Sequence, residues 1–175
     1  MTEPSSAAPA KGRHHLGGGR AIKFGVLSVS DTHSEDDDVS GHLAQELLTS
    51  AGHTIAKYHL VANSVADVRE TLDPWLDGRD IEAVLTIGGT GASSRDLTVN
   101  ALEAMGGRVL PGFGEIYRAL SFAEVGPLAI LSRATLFVVK LKPVFALPGS
   151  ERAVRTAVER LIVPAVQHLV EELER

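Results

Sequence analysis

The chain has 175 residues, 44% of them hydrophobic and 22% charged, with 17 Lys and Arg against 22 Asp and Glu for a formal charge of -5. That balance fits one globular domain able to bury roughly 70% of its unfolded surface, and it speaks against a nucleic-acid partner, which needs a basic face. The absence of cysteine excludes disulfides, thiolate metal sites and a cysteine nucleophile, and no run approaches the ~18 uninterrupted apolar residues of a membrane span.

Residues 1–20 are rich in Ser, Ala and Pro and carry Gly12, Gly17, Gly18 and Gly19. They lack the apolar core of about 7–15 residues that a signal peptide needs, so they read as a disordered tail ahead of one domain over 21–175. His14-His15 in that tail offers only a weak, adventitious metal site. From Ile22 to Ser30 the apolar run, with Phe24, Val26, Leu27 and Val29 inside, predicts a buried strand. Leu43, Leu47 and Ala51, with Ala44 and Leu48 beside them, predict a helix ending at Gly52. A strand over 53–61 follows, then a helix capped by Ser64 with Val65, Val68, Leu72, Trp75 and Leu76 at helical spacing. The third strand runs over 81–87. Short connectors between these elements imply parallel strands with right-handed crossovers. Residues 97–134 read as helical. The runs Leu136–Val139 and Val144–Leu147 predict a β-hairpin appended to the sheet, and Ser150 caps a final helix that Pro164 should kink or restart.

The segment Thr86-Ile87-Gly88-Gly89-Thr90-Gly91-Ala92-Ser93-Ser94-Arg95-Asp96-Leu97-Thr98 reads as strand, glycine-rich loop and helix. Gly88, Gly89 and Gly91 permit positive φ and let backbone N–H groups turn around an anion. Asp96 and Thr98 bring a carboxylate and a hydroxyl to the start of the next helix. The ligand such a loop suits carries phosphate, with or without Mg²⁺; a tight turn before a capped helix would use the same residues. Neither a Walker A loop nor Gly-x-Gly-x-x-Gly is present. Phe145-Ala146-Leu147-Pro148-Gly149-Ser150 repeats the form, and both loops would lie at the carboxyl edge of a parallel sheet.

Between these loops stand Gly112-Phe113-Gly114-Glu115-Ile116-Tyr117-Arg118-Ala119-Leu120-Ser121 and Ser132-Arg133-Ala134. In this order the four motifs resemble the molybdopterin-binding domain family over about residues 22–170. The resemblance implies a three-layer α/β/α sandwich with a mostly parallel central sheet, molybdopterin as ligand, and assembly into homotrimers or homohexamers in the cytoplasm. It further implies ligand contacts at Gly88, Gly89, Thr90, Gly91, Thr98, Glu115, Ser132, Arg133, Pro148, Gly149 and Ser150. If the chain is an enzyme, the reaction implied is adenylyl transfer from ATP to molybdopterin. Asp96 then becomes the leading catalytic carboxylate and Mg²⁺ ligand, since such transfer needs a metal to neutralise the phosphates, and Asp31, directly after the first strand, is the second candidate. The alternative is a non-catalytic pterin-binding or scaffold protein of the same pathway.

For Arg118 and Arg133 a bidentate phosphate contact and an internal salt bridge are both open. Glu115 sits where a turn can close over a ligand or cap the next helix. The run Glu35-Asp36-Asp37-Asp38 reads as a solvated loop. Three positions depart from the family pattern: Asn63, where the adenylyltransferase branch has Asp; Asn100, where relatives have Glu; and Phe137, where relatives have Gly. The first two favour binding over catalysis.

Overall fold

The computed structural model describes residues 19–175, so most of the N-terminal segment, with His14-His15, lies outside the described residues. Six strands form one sheet in the order β2-β1-β3-β6-β5-β4. β1 (Lys23–Val29), β2 (Thr54–Val61), β3 (Ala83–Ile87) and β6 (Lys142–Leu147) run parallel, while β5 (Thr135–Val139) is antiparallel to both β6 and β4 (Arg108–Leu110). β1 beyond Lys23 and all of β3 are buried at every residue because both of their faces are covered.

One face carries α1 (Val39–Ser50), α4 (Pro111–Val125), α5 (Glu151–Ala157) and α6 (Val163–Leu173); the other carries α2 (Val65–Asp77) and α3 (Thr98–Ala104). The chain is thus a three-layer α/β/α sandwich. Phe24, Val26, Leu85 and Phe145 point to the first core, and Leu27, Val84, Val144 and Ala146 to the second, as strand alternation requires. Because β2 and β3 flank β1 on opposite sides, the crossovers through α1 and α2 lie on opposite faces. The carboxyl edge of these parallel strands is the side on which such sheets hold ligands.

Several elements differ from the sequence-based expectation. In α1 the fully buried residues are Ala44 and Leu48, while Leu43 and Leu47 are half-buried and Ala51 is exposed. The buried face of α1 thus runs through Gly41, Ala44 and Leu48, one position round from Leu43, Leu47 and Ala51. The stretch expected to be wholly helical contains β4, an edge strand followed by Pro111 at the first turn of α4. The β5–β6 hairpin forms as expected, but its second strand pairs with β3, so the hairpin lies inside the sheet. Its turn is only Lys140-Leu141, both at positive φ (49° and 63°), the conformation of a two-residue hairpin loop. Phe137 is buried within β5 opposite Val109 and Val144, so the strand is regular where the family's glycine would sit. Between α5 and α6 the helix widens into a π-helical turn over Val158–Ile162. Pro164 has no N–H for the carbonyl four residues back, which accounts for the widening. Arg20 donates to Glu82 and Glu174, so contacts with the domain begin at the last residue of the segment read as a tail.

Candidate functional site

The loops after β3 and β6 meet at the carboxyl edge. Gly88 donates its N–H to the Leu147 carbonyl at 2.9 Å, and a Cβ placed on Gly149 would stand 3.5 Å from the Gly88 Cα. Gly88 itself, at φ +100°, admits no side chain, because a Cβ would lie 2.2 Å from the Val29 carbonyl oxygen. Gly89 has φ +62°, and a Cβ there would meet Thr98 Oγ1 at 2.3 Å and Asn63 Oδ1 at 2.8 Å. Gly91 is not at positive φ; its missing side chain makes room for Asp96, whose Oδ2 would stand 2.6 Å from a Cβ.

These loops wall a cleft of about 400 Å³ with α4 and the 3-10 turn Gly126–Leu131. Gly89, Thr90, Gly91, Asp96, Ser132, Pro148, Gly149 and Ser150 all line it. The Thr90 hydroxyl is buried without a partner among the described residues. Ser150 caps α5, accepting from the Ala153 N–H at 3.3 Å. Asp96 accepts from the Ser93 N–H at 2.9 Å through Oδ2.

Other expected contacts belong to the scaffold beneath the cleft. Thr98 is fully buried and donates its hydroxyl to the Gly88 carbonyl at 2.8 Å, while its N–H donates to the Gly89 carbonyl at 3.0 Å. Arg133 has no salt bridge among the described residues. Its Nε donates to the Gly91 carbonyl at 2.8 Å, Nη1 to Asn100 Oδ1 at 3.1 Å and Nη2 to the Asp96 carbonyl, and its backbone N–H to the Thr90 carbonyl at 2.8 Å. The guanidinium is a staple on the glycine loop. Arg118 likewise donates to the Ala134 carbonyl at 3.0 Å. Glu115 lies exposed in the first turns of α4 and does not line the cleft. Asp31 accepts from the Asn63 N–H at 2.8 Å, tying the β1 loop to the end of β2. Asn63 in turn accepts the Leu97 N–H at 3.1 Å through Oδ1.

The acidic run is not simply solvated. Asp38 is buried at the N-cap of α1, accepting from the Gly41 N–H at 2.9 Å and from the Tyr58 hydroxyl at 2.8 Å. Burial and then the Asp38 hydrogen bond push the Tyr58 phenol far above its ordinary value. Glu35 pairs with His59 at 2.7 Å, and that bond, with the Leu60 N–H, holds its carboxyl below the usual range. Ser40, in the first turn of α1, donates to the Gly149 carbonyl at 2.7 Å and so steadies the second loop. Among the described residues no group of three or more His, Asp or Glu converges as a metal site.

Tyr117 and Ser121, present in the α4 motif but given no role from the sequence, also line the cleft, as do Glu124 and Arg152. Tyr117, Ser121 and Glu124 recur at i, i+4 and i+7 on α4, the spacing of one helix face. Tyr117 is buried, and burial pushes its phenol up, so it stays a neutral donor.

A doubly wound sheet with two glycine-containing strand-to-helix loops at its carboxyl edge defines an α/β protein of the open-sheet class, in which ligands bind at that edge. The model for the probable molybdopterin binding domain matches residues 25–168, and the chain belongs to that family of molybdenum cofactor biosynthesis proteins. It is 38% identical over 157 residues to molybdenum cofactor biosynthesis protein B of Bacillus anthracis, covering 89% of this chain and 93% of the relative. The corresponding Staphylococcus carnosus protein is 40% identical over 159 residues, with 89% and 93% covered. A crystal structure of molybdenum cofactor biosynthesis protein B superimposes with a TM-score of 0.85 at 38% identity, covering 89% of this chain and 98% of that one. The tungsten cofactor synthesizing protein MoaB from Pyrococcus furiosus gives 0.77 at 32% identity, with 90% and 100% covered.

Proposed function

We infer that this chain binds molybdopterin in the cleft, its phosphate seated against the Gly89–Gly91 backbone and Ser150. The observation that carries this reading is the Thr90 hydroxyl, enclosed in the cleft wall with no partner among the described residues. A buried hydroxyl left unpaired costs about 1–3 kcal/mol, and a phosphate oxygen supplies the missing acceptor. Binding of one anion also suits the rigid loop, whose carbonyls are held by Thr98 and Arg133. The reading includes a homotrimer or homohexamer in the cytoplasm; Ile116, Phe122, Leu128, Ile130 and Leu131 are each more than half exposed and give an apolar face for a second copy.

Adenylyl transfer from ATP to molybdopterin is the second reading, favoured by Asp96, which keeps one carboxylate oxygen unpaired in the cleft. That oxygen fits a Mg²⁺ that arrives with the nucleotide, since such ions take one or two carboxylates plus substrate phosphates. When bound, the ion would neutralise the triphosphate. Asp31 spends one oxygen on the Asn63 amide, and Asn63 spends its carbonyl on Leu97, so a second carboxylate beside Asp96 is missing and the binding reading ranks first.

Incubating the purified protein with molybdopterin, ATP and Mg²⁺ separates the two. The expected result is saturable molybdopterin binding with adenylated product at most weak. Asn63→Asp, which keeps an acceptor for Leu97, should raise that product. Failure to bind molybdopterin at all overturns the assignment. Robust turnover abolished by Asp96→Asn with binding spared establishes the enzyme.

A further inference from the structure

The end of the cleft remote from the glycine loop carries a carboxylate that phosphate binding leaves unused. Asp96, Glu124 and Arg152 are the charged residues lining the cleft. Glu124, on the last turn of α4, is fixed by the Thr156 hydroxyl, which donates to its Oε1 at 3.0 Å from a nearly buried position on α5. Its Oε2 has only the loose Arg152 Nε contact at 3.7 Å, beyond hydrogen-bond range, and the side chain is 32% exposed. Around it the lining is apolar, with Val125, Leu128, Ala129 and Ala153, and includes the Tyr117 ring. Ser150, Ala153 and Thr156 follow at i, i+3 and i+6 along α5, so Glu124 stands about 9 Å along the helix axis from the phosphate loop.

An apolar slot ending in a half-satisfied carboxylate suits a flat heterocycle that presents two adjacent N–H donors. We propose that Glu124 is the specificity-determining residue of the cleft, accepting hydrogen bonds from the amino-pyrimidinone edge of the pterin while the phosphate occupies the glycine loop. The inference rests on the pterin-binding reading above and adds how the ring is distinguished from its analogues. The 2-amino group and the neighbouring ring N–H face the carboxylate together. A lumazine, which carries oxygen in place of that amino group, turns an acceptor towards an acceptor and is rejected. Ser121 and Tyr117, one and two turns earlier on the same helix face, line the slot beside the ring.

The experiment compares 6-hydroxymethylpterin monophosphate with the matching lumazine monophosphate by calorimetric titration of the full-length protein. Wild type should prefer the pterin by roughly 10-fold or more, the scale of one charge-assisted hydrogen bond. In Glu124→Gln the amide oxygen keeps the Thr156 bond and the amide nitrogen faces the slot, so the pterin should bind more weakly and the lumazine, whose oxygen now meets a donor, more tightly, and the preference should fall to about 3-fold or less or reverse. The wild-type comparison needs no variant, so a folding defect in Glu124→Gln does not remove the test. Equal wild-type affinity for the two probes, or a preference that survives in Glu124→Gln, overturns the role of Glu124 while leaving the binding reading intact. If wild type binds neither probe nor molybdopterin itself, the pterin-binding reading falls and this inference with it.

Discussion

Replacing Arg133 by Met removes the guanidinium while keeping an unbranched stem of similar bulk. Three side-chain hydrogen bonds disappear, to the carbonyls of Gly91 and Asp96 and to Asn100 Oδ1. The site is only half-buried, so water re-satisfies part of what is lost, and about 1 kcal/mol per bond is the fitting figure, giving about 3 kcal/mol. For a chain of this size each kcal/mol moves Tm by about 2–4 °C, so a fall of about 6–12 °C is expected. Molybdopterin affinity should fall as well, because the loop that carries Thr90 and Asp96 loses its staple. Thermal and urea unfolding of the free protein, followed by titration with molybdopterin, measure both effects. If Tm stays within about 1 °C of wild type while affinity collapses, Arg133 contacts the ligand and the staple is refuted.

Thr90→Val replaces the unpartnered buried hydroxyl by a methyl group of similar shape. The free protein should be as stable or slightly more stable, while molybdopterin binds roughly 10-fold more weakly, and equal affinity by titration would remove Thr90 from the phosphate contacts. Leu141→Gly relieves a non-glycine residue at φ 63° on the exposed hairpin tip and should stabilise the fold by about 1 kcal/mol, read from the urea midpoint. His53 is held below its ordinary pKa by burial, and its Nδ1 accepts from the Ile22 N–H at 3.3 Å. The unfolded chain therefore takes up the proton first, so this residue's contribution is complete above about pH 6.5 and is lost as pH falls through the lower folded value. His53→Gln, which preserves an acceptor, should flatten the pH dependence of stability below about pH 6.5; an unchanged slope would show that His53 does not carry it.

The order of elements was legible because β1, β3 and α2 carry patterns that follow directly from their burial. Ser64 and Ser150 cap the helices they precede, each accepting from the N–H three residues on. β4 was not legible, since three residues between Gly107 and Pro111 are too few to show alternation, although a glycine and a proline bracketing Arg108-Val109-Leu110 mark a break. In α1 the sequence pattern centres on the stripe through Leu43, Leu47 and Ala51, whereas the face through Gly41, Ala44 and Leu48 is the buried one. At the site, the sequence displayed which polar groups were present but not how they are spent. Thr98 and Arg133, read as ligand contacts, also hydrogen-bond the backbone of the glycine loop, a role that the motif does not display. Glu124 has no role legible in the sequence, because only the packing of α4 on α5 brings it to the cleft.

Because β6 inserts between β3 and β5, the sheet is two three-stranded halves joined along a single pair of strands. The first half is complete once Ile87 has been made, but its β3 edge, five buried residues long in the finished protein, has no neighbour until Val144–Leu147 is synthesised. An uncovered apolar edge of that kind is open to pairing with another chain, so the interval during which α3, β4, α4 and β5 emerge is when this protein is most exposed to misassembly. The cleft lies across the same seam, with Gly89 on one side and Gly149 on the other. A ligand held there acts as a clasp between the halves, and a chain truncated before β6 loses its ligand site and the cover for β3 together.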